Sequence, residues 1–593
     1  MTRSFLLFTA LLPALSSAQF TNISCTDAEA LQAMKGQHDP ADYAASMVID
    51  DPEEIICALR TAVNSDSLRA HLDRIVSFGT RHTYSDTLSA TTGIGAARRW
   101  VMSKLQQWST LNEDRLLPSY IRFDYANEPL NCGSGQDWRN VIAVLPGSST
   151  VNHRVIIIEA HLDSRCADNC DPDCDAQGAE DNGSGSALVL ELARVMSRYT
   201  FPHTLVFMLT TGEEHGLLGA RAMAQFCQQQ SIAIKGVLNN DIVGGILCGE
   251  TASPPGCGVV NEVDSLQFRV FSHTASRGLA RMIRLSYDEK LGGAVPVPTL
   301  ISVMDREDRV GRGSDHIPFR EAGWPAVRFT AANEHGDGDP SEEGYDDRQH
   351  TSDDILGLDL NGDGTLDTLF VDFNYLARNA VINGASATLL AHGPDMPTFN
   401  LLDEPTGLRA QITGQPEHVA FRIGVRGTQS TGDFESVYRT TQTSYLVPNL
   451  QSPGVYYVSV AGIDAQGITS IFTAEQVRAN DAATPQAPVD ELPYGLACLP
   501  IGMAESRDAL HVIVAMPNPF RARTELHIDR ALSGNAELLV HDGRGRMVLR
   551  QPIGAGDAGR IISLRTDLSA GLYRCTLMEH GRAIAATKLI ALD

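Results

Sequence analysis

Between about residues 62 and 390, short and almost wholly apolar runs alternate with segments whose apolar residues recur at helical spacing. This rhythm limits the fold more than any other feature of the chain. Val155-Ile156-Ile157-Ile158-Glu159-Ala160 is apolar on both alternating faces, as a strand covered from both sides must be. Thr204 to Leu209 (TLVFML) is a second such run, Gly236-Val237-Leu238 opens a third, and Ala326-Val327-Arg328-Phe329 forms a fourth. Between the first two, Ser184 to Met196 sets Ala187, Leu188, Glu191, Leu192 and Val195 at helical spacing, and a further helix follows Gly216 through LLGARAMAQF. Strands and helices in alternation predict an α/β, three-layer domain over 61–395, with a mostly parallel central sheet and helices on both faces.

After about residue 400 the pattern changes to short alternating strands, as in Tyr456-Tyr457-Val458-Ser459-Val460-Ala461-Gly462-Ile463. Two small β-sandwich domains are therefore expected to follow, over 400–480 and 512–593, joined by a Pro/Ala/Asp linker over 481–511. A chain of 593 residues is too long for one hydrophobic core, which agrees with several domains. At the other end, Arg3, the apolar run Phe5 to Leu15 and the small residues Ser16-Ser17-Ala18 read as a signal peptide over 1–18. Residues 19–60 then stand as an N-terminal extension or pro-segment. No later stretch is apolar for long enough to span a membrane as a helix. Export permits disulfides among the 11 cysteines. Cys248 and Cys257, around a Gly/Pro loop, are the best pair, and the Cys166, Cys170, Cys174 cluster is expected to hold a disulfide with a third partner elsewhere. The formal net charge of -25 makes nucleic acid and anionic lipid poor partners.

Candidate ligands recur where the predicted strands end. His161 and Asp163 follow the first as HLD, and Asp181 sits in GAEDNGSG before a helix. Glu213-Glu214 follow the second strand, Asp241 ends the third as NND, and His350 lies in RQHTSDD past the fourth. Open α/β sheets collect their ligands at the carboxyl ends of strands. Imidazole and carboxylate donors without cysteine suit zinc, with cobalt or manganese as other occupants. Each motif alone is weak, since His-x-Asp and Glu-Glu are common on surfaces. Their joint occurrence in this order is not.

In that order HLDS, EDN, GEE, NND, SDH and HTSDD resemble the M28 peptidase family of dinuclear zinc exopeptidases, as do VSFGTRH, GIGAARRWV and NVIAVLPG upstream. The resemblance implies one zinc on His161 and Asp241, a second on Glu214 and His350, and Asp181 bridging them. It implies that Asp163 fixes the His161 ring and that Glu213 is the general base. Two metals sharing a water would lower its pKa until hydroxide exists near neutral pH. The implied activity is that of a secreted aminopeptidase acting on peptides with a free N-terminus. A carboxypeptidase or dipeptidase of the same family would need a cationic group for the substrate's carboxylate. A glutaminyl cyclase relative would use one zinc, and the pair His161 and Asp241 weighs against it. A catalytically inactive surface adhesin is the alternative from another class, against which Glu213 and the full ligand set stand. Relatives often carry a tyrosine before the last histidine to stabilise the tetrahedral intermediate, whereas this chain has Gln349. Tyr345 and Arg312 lie near in sequence without an assignable role. Ser314, Asp315 and His316 match the SDH segment, as a turn lining the pocket or as part of the chemistry.

Asp359, Asn361, Asp363 and Asp367 place oxygens at positions 1, 3, 5 and 9 of a calcium loop, although position 12 is Phe370. A calcium ion and a solvated turn both fit that pattern. The segment from Pro405 resembles a fibronectin type III domain, a spacer or binding module. The tail, with Pro517-Asn518-Pro519-Phe520, VHDGRGRMV and LSAGLY, resembles the C-terminal sorting domain of the type IX secretion system. That resemblance implies a bacterium with two membranes, secretion machinery as a partner, and a protein that is secreted or attached to the cell surface.

Overall fold

A computed structural model describes residues 19–126, 132–133, 135–245, 265–304, 306–307, 313–331, 348–428 and 432–492, and much of 513–591. The expected signal segment, Cys248 and Cys257, Arg312, Tyr345 and Pro517-Asn518-Pro519 lie outside the described residues. The chain divides into two compact units, 1–498 and 499–593.

Unit one is built on a nine-stranded sheet of β1 (Gln19–Cys25), β2 (Leu117–Ala126), β3 (Gly135–Leu145), β4 (Val155–His161), β5 (Thr204–Thr210), β6 (Ile234–Asn240), β7 (Gln267–Phe271), β8 (Leu300–Val303) and β9 (Ala326–Ala331). Their order is β1-β2-β3-β5-β4-β6-β9-β7-β8. The central β5-β4-β6-β9 pairs are parallel, while β1, β2 and β3 add antiparallel strands on one flank. The helices are α1 (Ala28–Met34), α2 (Pro52–Ala62), α3 (Ser65–Val76), α4 (Gly93–Leu111), α5 (Gly185–Met196), α6 (Leu218–Gln230), α7 (Arg277–Tyr287), α8 (His316–Glu321) and α9 (Phe373–His392).

β4 explains the layering. Ile156, Ile158 and Ala160 enter the core under α2, α3, α5 and α9. Val155 and Ile157 enter the opposite core with residues of α1, α6 and α8. Period-two alternation thus covers both faces of one strand, and each buried Ile contributes roughly 1.5–3 kcal/mol. The stretch set apart by sequence as an extension, 19–60, is built into this unit. β1 pairs with β2 from Gln19↔Ala126 to Cys25↔Ile121, and Ile55, Ile56 and Leu59 of α2 are fully buried. Pairing across about a hundred residues leaves no local periodic signal, so the sequence alone does not reveal it.

Glu191 of α5 ties the helical layer together. Its carboxylate, fully buried, accepts the Asn64 N–H at 2.9 Å and the Ser67 hydroxyl at 2.9 Å at the start of α3, and takes Arg194 at 2.6 and 2.7 Å. Burial works against ionisation there, but Arg194, His71 and the Asn64 amide prevail and bring the pKa down to about 2. A folded-state pKa below the unfolded value of about 4.5 stabilises above that value, and the stabilisation disappears as pH falls toward 2. Glu191→Gln should therefore cost on the order of 3 kcal/mol at neutral pH. Urea-unfolding free energies of variant and wild type should converge near pH 2, and parallel curves across that range would refute the assignment.

After α9 comes a β-sandwich. Thr398–Glu404, Gly407–Thr413 and Ser444–Leu446 form one sheet; Ser436–Thr440, Ala420–Gly427, Gly454–Ile463 and Gln476–Asn480 form the other. It belongs to unit one, where Val437, Ala461, Ile468, Ile471 and Phe472 join the core of the α/β layers and ion pairs are buried in the same contact. Arg422, 1% exposed, reaches Glu289 at 2.9 Å and Asp490 at 3.1 Å, and Arg281 of α7 reaches Glu475 at 2.7 Å. The first part of the expected 481–511 linker is docked rather than free. Thr484 N–H donates to the Leu450 carbonyl, Asn449 N–H to that of Pro485, and Asp490 pairs with Arg422. Unit two is a second sandwich, with Leu526, Leu538, Val540, Leu577 and Leu589 in its core.

Candidate metal centre

β4 ends at His161, and the turn that follows decides the ring's tautomer. His161 Nδ1 lies 3.0 Å from the Asp163 carbonyl oxygen, which can only accept, so Nδ1 carries the proton. Nε2 is left facing Asp181 Oδ1 at 3.1 Å and Asp241 Oδ1 at 3.5 Å. This modifies the role expected for Asp163, whose carboxylate stands 3.8 Å from the ring. The tight turn brings the main-chain carbonyl to the ring first. The carboxylate instead accepts the Thr83 hydroxyl at 3.0 Å and the N–H groups of Glu213 and Glu214 at 3.3 Å each. Asp163 therefore holds the histidine with one oxygen and aims the Glu-Glu pair with the others.

Asp181 lies in the turn before α5 and has one carboxylate oxygen for each histidine. Oδ1 faces His161 Nε2, and Oδ2 is 3.0 Å from His350 Nε2. Its backbone is held by Asp354, whose carboxylate accepts the N–H groups of Glu180 and Asp181 at 2.9 and 3.0 Å. Burial raises the Asp354 pKa to about 7. Asp241 follows β6. Its Oδ2 takes the Ser314 hydroxyl at 2.6 Å and Arg328 at 3.1 Å, which gives the SDH segment a positioning contact through Ser314. Asp315 accepts from the Thr210 hydroxyl instead, and burial raises its pKa to about 7. His316 Nε2 lies against the Glu307 carbonyl at 3.1 Å. Glu214 Oε2 is 3.2 Å from His350 Nε2. Ile242 and His350 adopt φ values of 59° and 57° beside these ligands. Such backbone costs on the order of 1–3 kcal/mol per residue and persists only where its surroundings impose it.

Within the protein's own charges, burial would depress the His161 pKa, but Glu213, Asp181 and Asp241 outweigh it and raise it well above the ordinary value. Desolvation raises Glu213 well above the carboxylate range, helped by Glu214 and Asp241 and opposed by His161. Desolvation also works to raise Glu214, but His350 and Arg165 dominate and bring it to about 2.

Every expected ligand thus lies in one basin at the carboxyl ends of β4, β5 and β6. The donor atoms of His161, Glu213 and Asp241 lie within 4.8 Å of one another, and so do those of His161, Asp181 and Glu214. Asp241 Oδ1 and Glu214 Oε1 are buried without a hydrogen-bond partner. Orphaned buried acceptors of this kind are costly unless a cation satisfies them, so the donor set fits a metal. Asp354, Arg328 and Arg165 were missed by sequence reasoning. The first ends the HTSDD motif and the last follows HLDS directly, so adjacency to a ligand motif was their only signal. At the calcium-loop residues, Asp359 accepts the N–H groups of Gly362, Asp363 and Gly364, Asn361 and Asp363 accept from Asp363 and Thr365, and Asp367 from Leu360. Among the described cysteines, Cys132–Cys170 and Cys166–Cys174 are disulfides, so the clustered cysteines pair once among themselves and once with a distant partner.

Imidazoles and carboxylates converging at the switch region of a three-layer α/β sheet, with a carboxylate pair at its mouth, define a metal-dependent hydrolase. The model of peptidase family M28 matches residues 140–254, a span that contains all these ligands except His350. A probable zinc metalloprotease of Leptosphaeria maculans is 30% identical over 405 residues, covering 64% of this chain and 88% of that protein. Another, from Pyricularia oryzae, is 33% identical over 413 residues, covering 66% and 76%. The LapA aminopeptidase of Legionella pneumophila aligns at 20% identity with a TM-score of 0.41, covering 59% of this chain and 78% of that one. The chain belongs to peptidase family M28 and is a hydrolase of peptide bonds. Among the described residues no helix is long and apolar enough to cross a membrane.

Proposed function

We propose that the protein is an exported aminopeptidase that uses two zinc ions and a glutamate base to remove residues from the N-terminus of peptides. The observation that carries this reading is Asp181, whose two oxygens each face one imidazole, His161 at 3.1 Å and His350 at 3.0 Å. A carboxylate so shared suits two cations rather than one. His161 and Asp241 would hold one, Glu214 and His350 the other. The relatives carry zinc in their names, and the nitrogen and oxygen donors suit it. When bound, zinc supplies Lewis acidity toward the scissile carbonyl and toward water.

The chain's own residues do the rest. Glu213 sits beside the ligands with its backbone fixed by Asp163, takes a proton from the attacking water and returns it to the leaving amine. Asp354 keeps Asp181 in place, and Ser314 and Arg328 keep Asp241 in place. The sandwich of 398–480 serves as a fibronectin type III-like spacer, its seven strands dividing three and four. Unit two serves as a sorting module for export through the type IX machinery, leaving the enzyme released or held at the surface. A separate calcium ion at Asp359, Asn361, Asp363 and Asp367 would have to draw these oxygens off their own backbone amides. A calcium-dependent rise in melting temperature, lost in Asp359→Ala, tests it.

Aminoacyl-anilides, N-blocked controls and zinc measured by mass spectrometry test the main reading. Turnover is expected only with a free amine, with two zinc ions per chain. Cleavage of the blocked substrates would overturn the aminopeptidase assignment.

A further inference from the structure

Arg81 lies in the segment between α3 and α4 and is fully buried. Each nitrogen of its guanidinium donates to a main-chain carbonyl. Nε donates to that of Leu162 at 2.8 Å, one terminal nitrogen to that of Gly178 at 3.0 Å, and the other to that of Gln177. Leu162 stands between His161 and Asp163, while Gln177 and Gly178 lead into the turn that carries Asp181. Neighbouring groups add to the grip. The Arg81 N–H donates to the Ser164 hydroxyl oxygen at 3.2 Å, that hydroxyl donates to the Ala176 carbonyl at 2.6 Å, and the Thr83 hydroxyl donates to Asp163 at 3.0 Å. One guanidinium thus joins two ligand-bearing turns.

This grip needs a planar fork. Three nitrogens held in one plane reach three carbonyls at once, whereas a lysine ammonium is a single point of charge. The facing turn is shaped to admit the group. Gly178 has a φ of 51°, and a Cβ there would stand 3.1 Å from an Arg81 terminal nitrogen and 2.5 Å from the Ser164 Cβ. The charge matters as well. Burial lowers the Arg81 pKa to about 10, with Asp354, Asp163, Asp181 and Glu214 holding it up, so the group stays cationic near neutral pH. A permanent cation whose nitrogens are turned to carbonyls steadies those carboxylates without taking the oxygens that a metal would use.

We propose that Arg81 is a positioning residue: by locking the His161 turn to the Asp181 turn, it fixes the 3.1 Å spacing of His161 Nε2 and Asp181 Oδ1 on which the shared carboxylate depends. The inference rests on the two-metal reading above. Arg81 acts through His161 and Asp181 and touches neither substrate nor ion. Loss of the clamp therefore weakens metal binding and lowers kcat, and leaves KM largely alone.

The test uses the full-length protein and its Arg81→Lys, Ser164→Ala and Arg115→Lys variants. Arg115 is the control, a second buried guanidinium that grips the carbonyls of Tyr43 and Tyr199 at 2.9 Å each, neither of them in a ligand-bearing turn. Zinc affinity is measured on metal-free protein by competition with a chelating dye. A leucyl anilide gives kcat and KM on zinc-saturated protein, and urea unfolding gives stability. Wild type should take two zinc ions. Arg81→Lys should bind zinc about 10- to 100-fold more weakly. When saturated, it should lose about 100-fold in kcat with KM little changed. Ser164→Ala removes one part of the grip and should show the same two losses at smaller size. Arg115→Lys should lose stability but keep wild-type zinc affinity and kcat. Zinc affinity in Arg81→Lys reduced no further than in Arg115→Lys, or a loss confined to KM, overturns the proposal. If Arg81→Lys does not fold, wild-type zinc affinity and kcat in Ser164→Ala overturn it instead. Two tight zinc ions in the wild type with an indifferent Arg81→Lys sink only this inference. Fewer than two in the wild type sinks the reading beneath it.

Discussion

Glu213→Gln should lower kcat by about 10³-fold while KM, zinc content and melting temperature stay close to wild type. Glutamine keeps the shape of the side chain and the main-chain N–H that donates to Asp163, so the neighbouring ligand Glu214 is not displaced. What it loses is the ability to take a proton. In the protein alone this carboxyl is pushed well above the usual range by desolvation, with Glu214 and Asp241 adding to the effect, so its environment favours the protonated state that a base must reach. Stopped assays with a free-amine anilide, paired with zinc analysis of the same sample, check the prediction. Retained turnover would move the base to another residue. Zinc lost together with activity would make Glu213 a ligand, as its place beside His161 and Asp241 also allows.

Asp181→Ala should be at least as damaging, for a different reason. Removing it takes an oxygen from each half of the site at once, leaving His161 Nε2 and His350 Nε2 without the carboxylate they share. Zinc content should fall below one per chain after dialysis, and activity should fall by more than about 10⁴-fold because metal binding and catalysis fail together. The zinc-dependent part of the melting temperature should vanish as well. A cation at a hundredfold excess over its Kd stabilises the folded state by about 2.7 kcal/mol, and the variant would forfeit that gain. If it kept both ions and their stabilisation, Asp181 would not bridge, and the two-metal arrangement would have to be redrawn.

The candidate ligands were legible in the sequence as residues that would meet at one sheet edge because α/β chemistry is local in a particular way. His161, Glu213, Glu214 and Asp241 each follow an apolar run within a few residues, and parallel strands bring such ends to one edge. Strand ends separated by tens of residues thereby become neighbours without any long-range pattern having to be read. Asp181 was legible through its place before an amphipathic helix, and His350 through the motif order alone. The sandwich at 398–480 was legible from alternation, but its burial against α7 was not. Arg422 and Arg281 look like ordinary strand and helix charges until Glu289, Asp490 and Glu475 are seen facing them.

By itself, the sequence determined which side chains could serve as metal donors and which sheet edge would collect them, since both follow from residue type and from periodicity along a single segment. Only the tertiary structure decided which atom does what. That Asp163 aims the Glu-Glu pair by its carboxylate, leaving its carbonyl to His161 in the same turn, depends on how loops far apart in the chain meet. So do the hold of Asp354 on Asp181 and the reach of Arg165 to Glu214 and His350. A hydrogen bond is made or lost over less than one ångström, and no pattern along the chain encodes distance to that precision.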